Sequence, residues 1–139
     1  MSYLLDTNVL SELRRKRPDA QVVRWFEDRP VGTLYLSVLT LGELRKGVAA
    51  LPESARKLAL LDWLETELPA FFAGRILPVD RAVADRWGQL WAEAGRPLPV
   101  IDSLLVATAV THGLILVTRN LRDTQGLGAQ VIDPWAMPA

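Results

Sequence analysis

Residues 114–117 form a short run of consecutive apolar residues, in which no polar residue alternates with an apolar one. This pattern is typical of a strand in a parallel sheet whose two faces are both covered. Other short runs, at 3–5, 34–37, 76–79 and 131–132, are separated by segments with helical spacing. Strands that alternate with helices in this way predict an α/β fold with an open, mostly parallel sheet and helices on both of its faces.

Capping residues and prolines place the ends of the expected helices. Thr7 and Asn8 are good caps for the first helix, and Ser54 is one for a later helix that we expect Pro69 to close. Pro78 lies inside the third apolar run, which predicts that this strand lies at an edge of the sheet. No internal repeat and no low-complexity linker divides the chain, so we expect one domain over residues 1–139.

Composition excludes several kinds of site and leaves others open. The chain has no cysteine, which excludes disulfides, thiolate nucleophiles and cysteine-based zinc sites and favours a reducing compartment such as the cytoplasm. No basic leader precedes the first strand, and no apolar stretch reaches membrane-spanning length. The 16 basic and 16 acidic residues give a net charge of zero, which weakens the case for a nucleic-acid partner without removing it.

Four acidic residues come where the chain passes from one expected element to the next. Asp6 ends the first strand, Glu43 lies in the first turns of the helix after the second, and Asp123 is expected in the loop that leaves the fourth. Asp102 opens the helix that feeds the fourth strand, so its end of that helix must lie over the carboxyl ends of the strands. Each residue alone has a plainer interpretation as a cap, a turn former or a solvated charge. The topology nevertheless predicts that all four lie at one edge of the sheet.

Clustered carboxylates favour a bound cation. Like charges in close contact raise one another's pKa, and a cation removes that penalty. All-oxygen ligation favours hard ions, which makes one or two Mg²⁺ or Mn²⁺ ions the natural occupants. The chemistry that follows is hydrolysis of a phosphodiester by water that the metal activates. His112, the only histidine, is expected at a helix C-terminus, so no Ser–His–Asp set is available.

Polar and basic residues accompany the acids at the same edge. Four of them would either orient ligands and waters or cap and turn the chain: Thr7, Asn8, Thr118 and Asn120. Arg119 and Arg122 are candidate RNA contacts because a guanidinium group can bind phosphate through two donors. The basic run 14–17 is either a nucleic-acid rim or a solvated helix end.

Four segments together have a recognisable pattern: 5–12, 36–47, 102–109 and 117–123. In their residues and order they resemble the PIN-domain ribonucleases, and within these the VapC-type toxins of bacterial toxin–antitoxin pairs, especially the FitB-like branch. The resemblance implies a three-layer α/β/α fold with a central sheet of four to five strands. This sequence departs from the family's pattern at Thr124, where the family often has an aromatic residue.

The resemblance also implies a function and its residues. It implies metal-dependent endonucleolytic cleavage of RNA, with Asp6, Glu43, Asp102 and Asp123 on the family's acidic positions. Thr118 and Asn120 fall on its supporting polar positions. It further implies a homodimer held inactive by a small cognate antitoxin. Two alternatives stay open: a PIN-fold protein that acts only by binding RNA or a partner, and another metal-dependent phosphoryl-transfer enzyme such as a small phosphatase.

Overall fold

A parallel sheet forms the centre of the protein. The computed structural model describes residues 1–137. Their strands are β1 (Tyr3–Leu5), β2 (Leu34–Ser37), β3 (Ile76–Leu77), β4 (Ile115–Val117) and β5 (Val131–Ile132). All neighbours pair in parallel, in the order β3–β2–β1–β4–β5. The predicted parallel sheet is therefore confirmed, and β3 lies at its edge and ends before Pro78, in agreement with the position of the proline.

Helices connect the strands and begin and end at the expected kinds of residue. They are α1 (Thr7–Leu13), α2 (Ala20–Glu27), α3 (Val38–Ala49), α4 (Ala55–Asp62), α5 (Leu68–Phe71), α6 (Arg81–Ala94), α7 (Val100–His112) and α8 (Leu121–Thr124). Side chains of Asp19, Ser37 and Ser54 accept hydrogen bonds from the first turns of α2, α3 and α4. Gly95 and Gly113 directly follow α6 and α7, and their φ angles of 64° and 65° favour glycine.

Asp6, rather than Thr7 or Asn8, caps the first helix. Asp6 has extended backbone angles directly after β1, and its Oδ1 accepts a hydrogen bond of 2.6 Å from the backbone N–H of Thr7. Thr7 and Asn8 already lie inside α1. The expectation for these two residues is wrong because the Asp6 carboxylate already caps the helix, so helical geometry begins at Thr7.

Pro69 does not close the helix that begins after Ser54. Between α4 and α5 the chain forms a wider π-helical turn, Trp63–Glu67, and the helix then continues through Pro69 to Phe71. Proline lacks a backbone N–H and its ring crowds the preceding turn of an α-helix. A π turn immediately before it changes the hydrogen-bond pattern at that point, so the helix passes the proline.

Both faces of the sheet are buried, and each faces its own cluster of side chains. Leu5 and Val117 belong to one cluster, with α1 and α2, whereas Leu4 and Leu116 belong to the other, with α7. Neighbouring residues of a strand point to opposite faces, which explains why the strands are apolar throughout. The α/β/α layering is confirmed. No helix within residues 1–137 is long and apolar enough to cross a membrane.

Candidate active site

The first acidic residue is fixed between the two central strands. The backbone N–H of Asp6 donates to the carbonyl of Val117 at 2.9 Å, which joins the ends of β1 and β4. Its side chain is only 5% exposed, and its Oδ2 accepts hydrogen bonds from the Thr118 hydroxyl at 2.7 Å and from the Asn8 amide at 3.4 Å. Asp6 therefore has one orientation, set by donors from both chain segments.

The pKa of Asp6 is raised above its usual value. Burial is the largest cause, the hydrogen bonds from Thr118 and from the backbone of Thr7 act in the opposite direction, and the charge of Glu43 raises the pKa further. Burial has this effect because it disfavours the ionised form. The structure thus contains an acid that is held in place but incompletely compensated in charge.

Glu43 is linked to Asp6 through Thr7, the first residue of α1. The Ser37 hydroxyl accepts a hydrogen bond of 3.0 Å from the Leu39 backbone at the start of α3, which places Glu43 in the second turn. There its Oε1 accepts a hydrogen bond of 2.5 Å from the hydroxyl of Thr7. Since Thr7 also donates its backbone N–H to Asp6, one residue contacts both carboxylates.

Asp102 and Asp123 are joined by one amide group. Asp102 is the third residue of α7, and its Oδ2 accepts a hydrogen bond of 2.9 Å from the side-chain nitrogen of Asn120. The same nitrogen donates to Oδ2 of Asp123 at 3.0 Å. Asp123 lies in α8 and not in a loop, so that part of the prediction is wrong. The buried Thr124 hydroxyl donates to the carbonyl of Asn120 at 2.8 Å and closes this helical turn.

Asp102 is affected by the charges of the other three acids. Its pKa is raised to about 6, mainly by burial and then, in order, by the charges of Asp6, Asp123 and Glu43, while the hydrogen bond from Asn120 acts in the opposite direction. The three charges come from separate parts of the chain. Their joint effect on one carboxyl means that the topology has gathered the acids into one region, as the order of strands and helices predicted.

Three of the acids line one cleft of about 510 Å³: Asp6, Glu43 and Asp102. Asp123 does not line the cleft, but it is joined to Asp102 through the amide of Asn120. All four supporting residues named from the sequence contact an acid: Thr7, Asn8, Thr118 and Asn120. The exposed side chain of Arg119 also lines the cleft, whereas Arg122 is exposed but does not line it.

Sequence reasoning missed three residues of this cleft, Ser11, Glu12 and Trp135. The sequence contained a signal for each of them. Ser11 and Glu12 lie one helical turn after Thr7 and Asn8, so they share the faces of α1 on which those two residues lie. Trp135 follows the end of β5, where the rule that sites form at the carboxyl ends of strands also applies. Within the basic run 14–17, Arg15 alone lines the cleft, and the guanidinium of Arg14 lies 5.1 Å from the centre of the Trp63 ring.

The acidic residues fit a divalent cation that keeps part of its water shell. Within residues 1–137, Oε2 of Glu43 and Oδ1 of Asp102 and of Asp123 accept no hydrogen bond from the protein and are available as ligands. In the same range no group of three or more acidic or histidine side chains forms a ready-made metal cage. Mg²⁺ usually keeps several waters and binds through one or two carboxylates together with substrate phosphates, so this donor set suits it.

Known proteins resemble the chain over almost all of its length. A family model described as PIN domain matches residues 3–124. The chain is 38% identical over 135 residues to "VapC ribonuclease Y4jK" of Sinorhizobium fredii, covering 95% of this chain and 96% of that protein. It is also 38% identical over 135 residues to "Toxin FitB" of Neisseria gonorrhoeae, covering 95% of this chain and 97% of that protein.

Solved structures agree with these relatives. The structure of FitAcB from Neisseria gonorrhoeae matches with a TM-score of 0.90 at 37% identity, covering 97% of this chain and 99% of the other. A toxin–antitoxin complex from Klebsiella pneumoniae matches with a TM-score of 0.71 at 27% identity, covering 98% of this chain and 100% of the other. The predicted resemblance, including its FitB-like branch, is confirmed.

Proposed function

The chain belongs to the PIN-domain family, and from this premise we propose that it is an endoribonuclease, dependent on Mg²⁺ or Mn²⁺, that acts as the toxin of a type II toxin–antitoxin pair. The observation that carries the proposal is the cleft lined by Asp6, Glu43 and Asp102. Similarity to proteins named as a ribonuclease and as a toxin supports the activity and the biological role.

In the proposed reaction the four acids have different roles in binding the metal. Asp6, Glu43 and Asp102 would hold the principal cation, one or two of them directly and the others through waters that the ion keeps, and Asp123 would help to hold a second ion or orient the attacking water. A bound divalent cation supplies a Lewis acid that activates water and neutralises charge on the phosphodiester. Thr118 and Thr7 donate hydrogen bonds that favour the ionised, ligand-competent form of Asp6. Asn120 keeps Asp102 and Asp123 at a fixed separation.

The proposed partners are RNA, an antitoxin and a second copy of the chain. The match to a toxin–antitoxin complex supports the antitoxin. Exposed apolar residues support self-association: Val38 is 41% exposed, Val100 is 55% exposed, and each is the first residue of a helix. RNA as substrate would place the activity in the cytoplasm. Over residues 1–139 we propose a single PIN nuclease domain.

The test is cleavage of RNA by purified protein freed of any antitoxin. We expect cleavage in Mn²⁺ or Mg²⁺, none in EDTA, and loss of activity in Asp6→Asn with the fold retained. Asp62→Asn is the matched control, because Asp62 is an exposed aspartate of α4 outside the cleft. Full activity of Asp6→Asn would refute the assignment of the metal site.

The same preparation separates the alternatives. An enzyme that hydrolyses a small phosphomonoester in preference to RNA would be a phosphatase. A folded protein that binds RNA but shows no hydrolysis in either metal would be a binding protein. The intact set of acids and their donors favours the nuclease.

A further inference from the structure

One buried carboxylate beside the cleft has no part in the proposed reaction. Glu12 is 5% exposed, although glutamate is almost never buried without a partner. Its Oε2 accepts a hydrogen bond of 2.9 Å from the backbone N–H of Asp19, the cap of α2, and its Oε1 accepts one of 3.3 Å from the guanidinium of Arg15. These contacts and a weaker one from the Trp135 side chain keep the pKa of Glu12 below its usual value.

Besides Arg15, a second arginine, Arg119, lies at the opening of the acidic cleft and contacts an aromatic ring. The guanidinium of Arg119 lies 5.0 Å from the centre of the Trp135 ring. Trp135 is partly buried against the core, and its backbone N–H donates to Oδ1 of Asp133 at 2.9 Å. Arg119 follows Thr118, which contacts Asp6, so this ring and guanidinium stand next to the metal site. Arg15, Arg119, Glu12 and Trp135 all line the acidic cleft.

The negative charge of the cleft explains why two arginines at its opening would help to bind RNA. A polyanion that approaches three carboxylates is repelled, and the chain has no net positive charge to offset this. The side chain of Arg15 is 66% exposed and Arg119 is exposed, so both guanidinium groups reach solvent at the mouth. A cation–π contact uses the face of a guanidinium and one hydrogen bond uses one of its five donors, so most in-plane donors remain available.

From these contacts we propose that Arg15 and Arg119 bind a phosphate of the RNA backbone next to the scissile one. Glu12 and Trp135 are positioning residues that hold the two guanidinium groups at the mouth of the cleft. We call these four residues the arginine clamp. The inference rests on the proposed function, because it takes RNA as the substrate. Anchored arginines lose less conformational freedom on binding than free ones, which favours their use as phosphate ligands.

The first experiment measures RNA binding separately from cleavage. The probe is a short fluorescein-labelled single-stranded RNA of mixed sequence, titrated by anisotropy in Ca²⁺ at several salt concentrations. We expect Arg15→Ala and Arg119→Ala each to weaken binding on the order of tenfold. Each should also reduce the slope of log affinity against log salt by about 0.7, the contribution of one phosphate contact on a single strand. The control is Arg86→Ala, an exposed arginine of α6 outside the cleft, which should change neither quantity.

The second experiment tests positioning with double variants. Trp135→Leu should weaken binding in the wild-type background but add little in the Arg119→Ala background, since the ring acts through that guanidinium. Trp135→Phe keeps an aromatic face and should restore most of the affinity. Glu12→Gln should likewise add little to Arg15→Ala. A purely structural role would instead give additive losses and no rescue by phenylalanine.

Cleavage kinetics in Mn²⁺ complete the test. The clamp variants should raise KM with little change in kcat, because they remove uniform binding of the substrate. Unchanged affinity and salt slope in both Arg15→Ala and Arg119→Ala would overturn the clamp even if the wild type cleaves RNA. A wild type that binds RNA through the clamp but does not cleave it would refute the nuclease proposal alone. A wild type that binds no RNA would overturn the clamp.

Discussion

Asp102→Asn should stabilise the metal-free protein at neutral pH while it abolishes cleavage. The pKa of Asp102 is raised from 3.8 to about 6, mainly by burial and then by three neighbouring carboxylates. For a fully buried group this rise would correspond to a penalty of about 3 kcal/mol on the ionised form. Because the Asp102 side chain is partly exposed, solvent screening reduces the expected effect to about 1–2 kcal/mol.

Proton linkage determines whether Asp102 stabilises or destabilises the fold at a given pH. The folded state holds the Asp102 proton more tightly than the unfolded state, so this group destabilises the fold progressively as pH rises from about 4 to 6. Asparagine does not ionise, and its side-chain oxygen can still accept the hydrogen bond from Asn120. The variant should therefore gain stability over the wild type above pH 6 and have no advantage near pH 4.

Urea denaturation of both proteins in EDTA at the two pH values measures this difference. When the denaturation is repeated with Mg²⁺, the wild type should become more stable than Asp102→Asn. The reason is that a ligand that binds only the folded wild type raises its free energy of unfolding. Asp62→Asn, at an exposed position of α4, should follow the wild type throughout. A variant that is less stable than the wild type at neutral pH in EDTA would refute the reasoning about repulsion among the acids.

Three further perturbations test other parts of the structure. Thr118→Val removes the 2.7 Å hydrogen bond to Asp6 and should lower kcat about ten- to a hundredfold with little loss of fold, as measured by RNA cleavage and circular dichroism. The buried Thr40 hydroxyl has no hydrogen-bond partner within the described residues, so Thr40→Val should raise the free energy of unfolding by about 1 kcal/mol in urea titrations. An unchanged or lower free energy of unfolding would contradict the conclusion that the Thr40 hydroxyl lacks a hydrogen-bond partner. Val38→Arg should shift the protein from dimer to monomer in sedimentation if its 41% exposed side chain lies in a self-association surface.

The convergence of the acids could be predicted because it depends only on chain order. Asp6 and Glu43 follow parallel strands, and Asp102 begins a helix that runs back toward a strand, so right-handed crossovers bring them to one edge. No side-chain detail is needed for this step. The supporting residues Thr118 and Asn120 could be named for the same reason, since they directly follow β4.

The parts that sequence reasoning missed depend on contacts between distant segments or on exact turns. Helical spacing could place Glu12 on the face of Asn8, but its partners at the start of α2 and at Trp135, more than a hundred residues later, are not visible in any local pattern. The helical turn that holds Asp123 is only four residues long and is closed by the Thr124 hydroxyl. The passage of the helix through Pro69 depends on a π turn, which spacing alone does not indicate.

A crystal structure of the protein soaked in Mn²⁺, with anomalous scattering used to locate the ion, would test the metal site itself. We predict a peak in the cleft within ligand distance of carboxylate oxygens from Asp6 and at least one of Glu43 and Asp102, and no such peak in Asp6→Asn. Manganese that binds elsewhere, or an empty cleft in the wild type at saturating Mn²⁺, would contradict it.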